Sequence, residues 1–366
     1  MSIEVCFRHG FAGFALDIDF AVERHGVTAL FGPSGSGKST IINVIAGLLK
    51  PNEGEVRLNG TTMLDTASGI NVAARNRGIG YVFQDARLFP HLTVAQNLRY
   101  GRFFAPRGER YADFDAVVDL LGIGPVLGRR PERLSGGEKQ RVAIGRALLA
   151  SPRLMLMDEP LASLDEARKG EILPYVERLR DEAGIPIVYV SHSVAEVSRL
   201  ATDVVVLRDG EVAAAGPTAA ILSRLDLLPA DEMGEGGAVL DMRVSGHDQV
   251  FGISRLRSAA GEIVVPRMAA TLGTMIRVRL RARDVMVATE KPVGLSAQNV
   301  LAGTLAALEP VTDNMFDARI DCGGEIIVAR ITKLSAVRLR LEAGQGVFAV
   351  VKTVSVGPAG MAAAAS

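Results

Sequence analysis

Apolar residues along this chain follow two different spacings, and the change from one to the other divides it. In the first part, VTALF (27–31), LMLM (154–157) and IPIVYV (185–190) are solid apolar runs, as in strands buried on both faces of a parallel sheet. Between them, TIINVIAGLL (40–49), DFDAVVDLLGI (113–123) and EKQRVAIGRALLA (138–150) carry the apolar repeat of helices. Strands alternating with helices predict an α/β fold. The first part closes on LRDGEVAAAGP (207–217), a strand, turn and strand, followed by a helix in TAAILSRLDLLP (218–229). ADEMGEGGA (230–238), acidic and glycine-rich, reads as a linker. Beyond residue 238 short β-type runs take over: 238–244, 250–256, 262–266, 276–288, 303–311, 316–321, 325–331 and 346–356. Short strands separated by regular turn signals predict a small all-β barrel. The division is therefore an α/β domain over residues 1–230 and an all-β domain over 231–366.

A length of 366 residues suits two domains. Lys+Arg and Asp+Glu balance at 41 each, so there is no global basic field to hold nucleic acid. The start MSIEVCFRHG is not that of a signal peptide, and no apolar segment approaches the roughly 18–20 residues that span a bilayer. A soluble, intracellular chain is expected. Cys6 and Cys322, far apart, fit a reducing compartment without a disulfide framework. The mean hydropathy of +0.23 is somewhat apolar for a soluble enzyme, which suits either a large core or docking on a hydrophobic partner.

Candidate chemistry begins at GPSGSGKST, where Gly32, Gly37, Lys38 and Ser39 satisfy G-x-x-x-x-G-K-[ST] between a predicted strand and a predicted helix. Such a turn aims backbone N–H groups and the positive end of a helix dipole at one point. Lys38 would lie between the β and γ phosphates of a nucleotide, and the Ser39 hydroxyl would ligate Mg²⁺. LMLMDEP then ends a strand in two carboxylates. Asp158 is a natural oxygen ligand for Mg²⁺, and Glu159 a candidate general base for an attacking water. In LSGGEKQ (134–140), Ser135 and Glu138 form a capping box, while Gly136 and Gly137 leave first-turn N–H groups uncovered for a second anion site.

In order and spacing these residues resemble the ATP-binding cassette family. The matching motifs are the Walker A loop (Gly32, Pro33, Ser34, Gly35, Ser36, Gly37, Lys38, Ser39, Thr40), Gln84 in YVFQD, LSGGE (134–138), Asp158 and Glu159, the SLD loop ending at Asp165, and His192 after IPIVYV. The resemblance implies a P-loop ATPase domain with a helical subdomain over about 88–150, whose groove near Gln84 receives a helix of a membrane-spanning subunit. It implies ATP and Mg²⁺ as ligands, with Gln84 sensing Mg²⁺ and water and His192 contacting the γ-phosphate. It further implies a head-to-tail pair of copies, so that Ser135, Gly136, Gly137 and Glu138 of one face the nucleotide on Lys38 of the other. An aromatic ring stacks on adenine in this family, and Phe11 and Phe14 are the candidates. Leu88, Phe89 and Leu92 form an apolar cluster that suits either local core or the permease groove.

The all-β part, with IRVRLRARDVMVATEKPVGLSAQNVLAGTL and ARITKLSAVRLRLEAGQGVFAVVKTVSV, is similar to the OB-like molybdate-binding barrel of molybdate-importer ATPase subunits, over about 292–357. That resemblance implies an ATPase on the cytoplasmic face of the membrane, bound peripherally to permease subunits and served by a separate substrate-binding protein. Tungstate, sulfate or another anion remains an alternative cargo. A soluble non-transport cassette and an oxyanion sensor are the competing classes; the first lacks its long coiled-coil heptads or doubled motifs here, and the second is opposed by intact Glu159 and His192. Positions matching the barrel's oxyanion donors are Ser296, Asn299, Ser335 and Lys352, with Gln298 where the family often has arginine.

Overall fold

A computed structural model describes residues 2–358 apart from 23–25, 105–107, 109, 163, 183, 230, 231, 233 and 354–356. The chain forms two compact units, Met1–Pro217 and Thr218–Ser366.

One eleven-stranded sheet organises the first unit. In spatial order it takes Ile70–Asn71 (β6), Thr61–Asp65 (β5), Glu53–Leu58 (β4), Ile3–Phe11 (β1), Phe14–Val22 (β2), Glu211–Pro217 (β11), Asp203–Arg208 (β10), Val27–Phe31 (β3), Ile187–Ser191 (β9), Leu154–Asp158 (β8) and Ile79–Val82 (β7). From β10 to β7 every pairing is parallel. All five residues of β3 and of β9 are buried, as their unbroken apolar runs require. In β1 and β2 burial alternates, leaving one sheet face to solvent.

Alternate residues of β8 enter two cores. Leu154 and Leu156 meet Ile41, Ile42 and Ile45 of α1 (Lys38–Ala46), whereas Met155 and Met157 join Leu98, Leu121 and Ile144 of the helical side. That side is built from α2 (Val94–Phe104), α3 (Phe114–Leu121) and α4 (Gly136–Leu149). Burial on both faces fixes the strand's register, because a one-residue slip would exchange its cores. The strand thus holds its last residues, Asp158 and then Glu159, at one edge.

Arg77 closes the C-terminal end of α1. Its guanidinium is 2% exposed and donates to Val44 O at 2.9 Å, Ile45 O at 2.7 Å and Val72 O at 2.8 Å. The first two belong to the last turn of α1, whose carbonyls lack i+4 donors, and the third to the segment after β6. Burial pushes the Arg77 pKa down. Gly47, at φ 75°, must lack a Cβ because that atom would come 2.6 Å from Arg77 Nε.

The second unit has two five-stranded sheets. One orders Gly261–Pro266 (β14), Ile253–Ser258 (β13), Gly237–Asp248 (β12), Met275–Arg281 (β15) and Gly357–Pro358 (β21). The other orders Val285–Ala288 (β16), Gly346–Val351 (β20), Asn299–Thr312 (β17), Met315–Cys322 (β18) and Glu325–Thr332 (β19). Leu240, Met242 and Ile263 of the first share one core with Leu305, Ile320 and Ile327 of the second. The apolar run 276–288, continuous in sequence, is two strands in two sheets. A turn at Ala282–Asp284 breaks it, clamped by Arg281 Nε to Asp284 Oδ2 at 2.7 Å.

Two sequence expectations shift here. The division falls at Pro217/Thr218 rather than at 230/231, because the segment after β11 packs on β-structure. Arg319 Nη1 donates to Ser223 O at 2.9 Å, and Leu225 and Leu228 crowd Gly236 so closely that a Cβ there would lie 2.3 and 2.2 Å from them. Nor are the described residues of 230–238 only a connector. Glu235 pairs with Arg279 at 3.2 Å, Arg281 at 3.7 Å and Arg283 at 2.7 Å, tying the acidic segment to β15 and the turn after it.

Candidate functional site

Parallel strands β3, β8 and β9 end side by side, so the loops after them converge at the carboxyl edge where α/β sheets bind ligands. The loop after β3 needs its glycines for two reasons. Gly35 and Gly37 sit at φ 83° and 99°, in the left-handed region. A Cβ on Gly32 would lie 2.3 Å from Leu207 O, and one on Gly37 would lie 2.3 Å from Leu16 Cδ2. Lys38 opens α1 behind Gly37, and its Nζ folds back to donate to Gly32 O at 2.8 Å and Pro33 O at 2.7 Å. With Lys38 only 4% exposed, burial lowers its pKa, opposed by the charges of Glu159 and Asp158. The Ser36 hydroxyl is buried without a hydrogen-bond partner, as expected of a group that serves a ligand.

At the end of β8, Ser39 Oγ donates to Asp158 Oδ1 at 2.9 Å. Burial raises the Asp158 pKa against the opposing pull of Ser39, Tyr81 and Lys38. A divalent cation suits this hydroxyl–carboxylate pair, since both groups are hard oxygen donors and a nearby positive charge would relieve the buried carboxylate. Tyr81, on β7 beside β8, was not singled out by its sequence position. Its hydroxyl lies 3.3 Å from Asp158 Oδ2 and 3.2 Å from Asn43 Oδ1, and its one proton can serve either acceptor. Burial beside Asp158 pushes that hydroxyl's pKa far up.

Glu159 adopts φ 44°, and its N–H donates to Val190 O at 3.2 Å. Its Oε1 stands 3.6 Å from Nδ1 of His192, which follows β9 and whose Nδ1 has no hydrogen-bond partner. Glu159 faces a cleft of about 280 Å³ that Phe11, Phe14, Ser34, Gly35, Lys38 and Ser39 also line. Both aromatic candidates are therefore at its mouth, where Phe11 pairs with Phe14 across the β1–β2 turn. Phe11 is the more exposed, and His9 packs edge-on against it at 4.5 Å.

Other predicted residues lie elsewhere. Among the described residues that line the cleft there is no member of 134–138, nor Gln84, nor Asp165. Gln84 is exposed in the loop after β7, the strand that neighbours β8. Ser135 caps α4 through a complete capping box: its Oγ accepts from Glu138 N at 3.2 Å, and its N–H donates to Glu138 Oε2 at 2.7 Å. Gly136 and Gly137 have a packing role as well. A Cβ would come 3.0 Å from Leu164 at the first and 3.3 Å from Ile172 at the second, where α5 (Glu166–Glu182) approaches. Asp165 caps α5 by accepting from Arg168 N at 2.9 Å; Ser163 of the same loop lies outside the described residues.

In the second unit the four oxyanion candidates are not assembled. Asn299 is 1% exposed, and its amide both accepts from Val264 N at 2.6 Å and donates to Val264 O at 3.0 Å, stitching the two sheets. Ser335, in the short helix Lys333–Arg338, shares its hydroxyl with Thr332 Oγ1 at 2.9 Å. It follows β19 near the Thr312–Met315 end of the β17–β18 hairpin. Ser296 and Lys352, both exposed, flank the opposite end, where Asn299 pairs with Val351. Gln298 there accepts from Thr353 Oγ1 at 3.3 Å.

Comparison with known proteins adds the following. A family model described as ABC transporter matches residues 15–162, and one described as TOBE domain matches residues 295–357. Molybdenum import ATP-binding protein ModC of Mesorhizobium japonicum is 64% identical over 97% of this chain and 96% of its own length. The protein of that name in Rhizobium etli is 53% identical over 97% and 99%, and that of Paramagnetospirillum magneticum 46% identical over 94% of each. The solved structure of cbiO1 from Clostridium perfringens, part of the ABC transporter complex cbiONQ, is similar to 61% of this chain and 90% of that one. Its TM-score is 0.53 at 28% identity. Among the described residues no helix is long and apolar enough to cross a membrane.

Proposed function

The chain belongs to the molybdenum import ATP-binding proteins, ABC transporter subunits that couple ATP hydrolysis to import, and from that premise we propose how its residues drive molybdate through a separate membrane permease. The observation that carries the proposal is the convergence of Lys38, Ser39, Asp158, Glu159 and His192 at adjacent strand ends.

Residues 32–40 cradle the nucleotide phosphates with backbone N–H groups, and Lys38 adds a buried positive charge. Phe11 or Phe14 supplies the ring for adenine at the cleft mouth. Ser39 and Asp158, joined by Gln84, would hold Mg²⁺; the ion would neutralise phosphate charge when bound. Glu159 takes the proton of the attacking water, and His192, 3.6 Å from it, faces the γ-phosphate. Ser135, Gly136, Gly137, Glu138 and Asp165, none of which lines its own copy's cleft, serve the cleft of a second copy. The working form is a head-to-tail dimer seated peripherally on the cytoplasmic side of a permease, with a separate binding protein delivering the oxyanion.

Uptake into vesicles that carry the permease, enclose this chain and are supplied outside with the binding protein tests the cargo. Molybdate and tungstate are expected to accumulate with ATP inside and not without it, and sulfate to lag behind both. ATP-independent uptake, or sulfate uptake at the molybdate rate, would overturn the assignment.

For the second unit, Ser296 and Lys352 are the oxyanion donors that remain exposed. Calorimetry of the full chain is expected to give heat with molybdate and tungstate, reduced about tenfold in affinity by Lys352→Ala, the cost of one charge-assisted contact. Absence of heat with either anion would leave the unit without that role.

A further inference from the structure

Beneath the turn that carries His192 lies a buried carboxylate to which the nucleotide mechanism assigns nothing. Glu196, on α6 (Val194–Leu200), is 5% exposed. Its Oε2 accepts from Tyr189 Oη at 2.9 Å and from Ser191 Oγ at 2.8 Å, and its Oε1 pairs with Lys169 Nζ at 3.3 Å. The two residues flanking His192 are both tied to this group. Ser191 bonds the carboxylate and also accepts from Ser193 N at 3.0 Å, and Ser193 caps α6 by accepting from Glu196 N at 3.4 Å. Nδ1 of His192 itself has no hydrogen-bond partner, so the bonds recorded around the ring's position are those of the residues on either side.

Lys169 extends the network to α5. It lies in that helix's first turn, where its N–H donates to Asp165 O at 2.9 Å. A second pair, Arg199 to Glu177 at 2.7 and 2.9 Å, binds the same two helices farther along. One carboxylate thereby joins the end of β9, the start of α6 and the start of α5. Burying a carboxylate costs stability unless every oxygen is satisfied, and here hydroxyl donors and an amine do so.

We propose that Glu196 is a positioning residue for hydrolysis: it fixes the 191–193 turn so that His192 stands against Glu159 beside the cleft, and through Lys169 it ties that turn to the α5 start at Asp165. This rests on the role given to His192 above. A carboxamide at 196 keeps the shape but loses the charge and one of the two acceptor oxygens, so that either Lys169 or the pair of hydroxyls faces an NH₂ donor.

Single-turnover ATP hydrolysis by the full chain, with nucleotide affinity measured separately, tests this in single and double variants. His192→Ala alone is expected to slow hydrolysis; an unchanged rate would remove His192 from its role and the present inference with it. Glu196→Gln is expected to slow hydrolysis about tenfold with nucleotide affinity within about twofold, and to add nothing in the His192→Ala background, because coupled residues are non-additive. Glu196→Asp is expected to recover part of the loss. An equal fold-loss with and without His192 would mean that Glu196 only supports the fold. Should Glu196→Gln fail to fold, Ser191→Ala, which deletes one hydroxyl, is expected to slow hydrolysis about threefold and only when His192 is present. A Ser191→Ala rate equal to the parent's, or a loss that persists without His192, would overturn the proposal.

Discussion

Glu159→Gln is expected to slow ATP hydrolysis by about 10³-fold, within the range general-base catalysis contributes, while leaving a stable ATP-bound dimer. The carboxamide matches the carboxylate in size and tolerates the same φ of 44° no worse. It cannot take a proton from water. Lys38, its hydrogen bonds to Gly32 and Pro33 carbonyls, and the loop N–H groups are untouched, so nucleotide should still bind. If a second copy completes the cleft, binding without hydrolysis holds the two copies together. Phosphate release and light scattering on the gel-filtered protein measure both halves of the result. A parental hydrolysis rate would remove Glu159 as the base. A variant that hydrolyses slowly but stays monomeric with ATP would contradict the shared site.

Lys38→Ala is expected to weaken nucleotide binding about 10²-fold, since hydrogen bonds to charged groups are worth about 1.5–3 kcal/mol each and several are lost together. The amine is buried and therefore acts in a medium that screens poorly. Burial lowers its pKa, but the adjacent carboxylates Glu159 and Asp158 pull it back toward the charged form. Its deletion also removes the amine from Gly32 O and leaves Pro33 O with only Ser36 N–H at 3.3 Å, a cost that falls on the free protein. Thermal unfolding without nucleotide reads that cost separately, and titration with a fluorescent ATP analogue reads the loss of affinity. An affinity within about threefold of the parent, in a folded variant, would contradict the phosphate cradle.

Tyr81 and Glu196 show where sequence stops informing. Each is an ordinary polar residue within an apolar strand or short helix, with no spacing that betrays its partner. Tyr81 meets Asp158 only because β7 and β8 lie side by side, and Glu196 meets Lys169 only because α5 and α6 touch. Asn299 shows the converse. Matched by resemblance to an oxyanion donor, it faces Val264 of the other sheet, with both ends of its amide engaged.

Local rules were enough for the elements around the cleft. Unbroken apolar runs gave β3, β8 and β9, a capping box gave the start of α4, and the glycine spacing before Lys38 marked the loop. These features depend on neighbours a few residues away, so they are written in the chain's order. The boundary at Pro217, the splitting of 276–288 between two sheets, and the anchoring of Glu235 on three arginines depend on segments far apart in sequence. Family membership and the ATP motifs were legible in the linear text because backbone geometry at a phosphate loop admits few residue types. Which side chains meet there, and which are already engaged elsewhere, was decided by packing, because most buried polar groups take whatever partner the fold brings within reach.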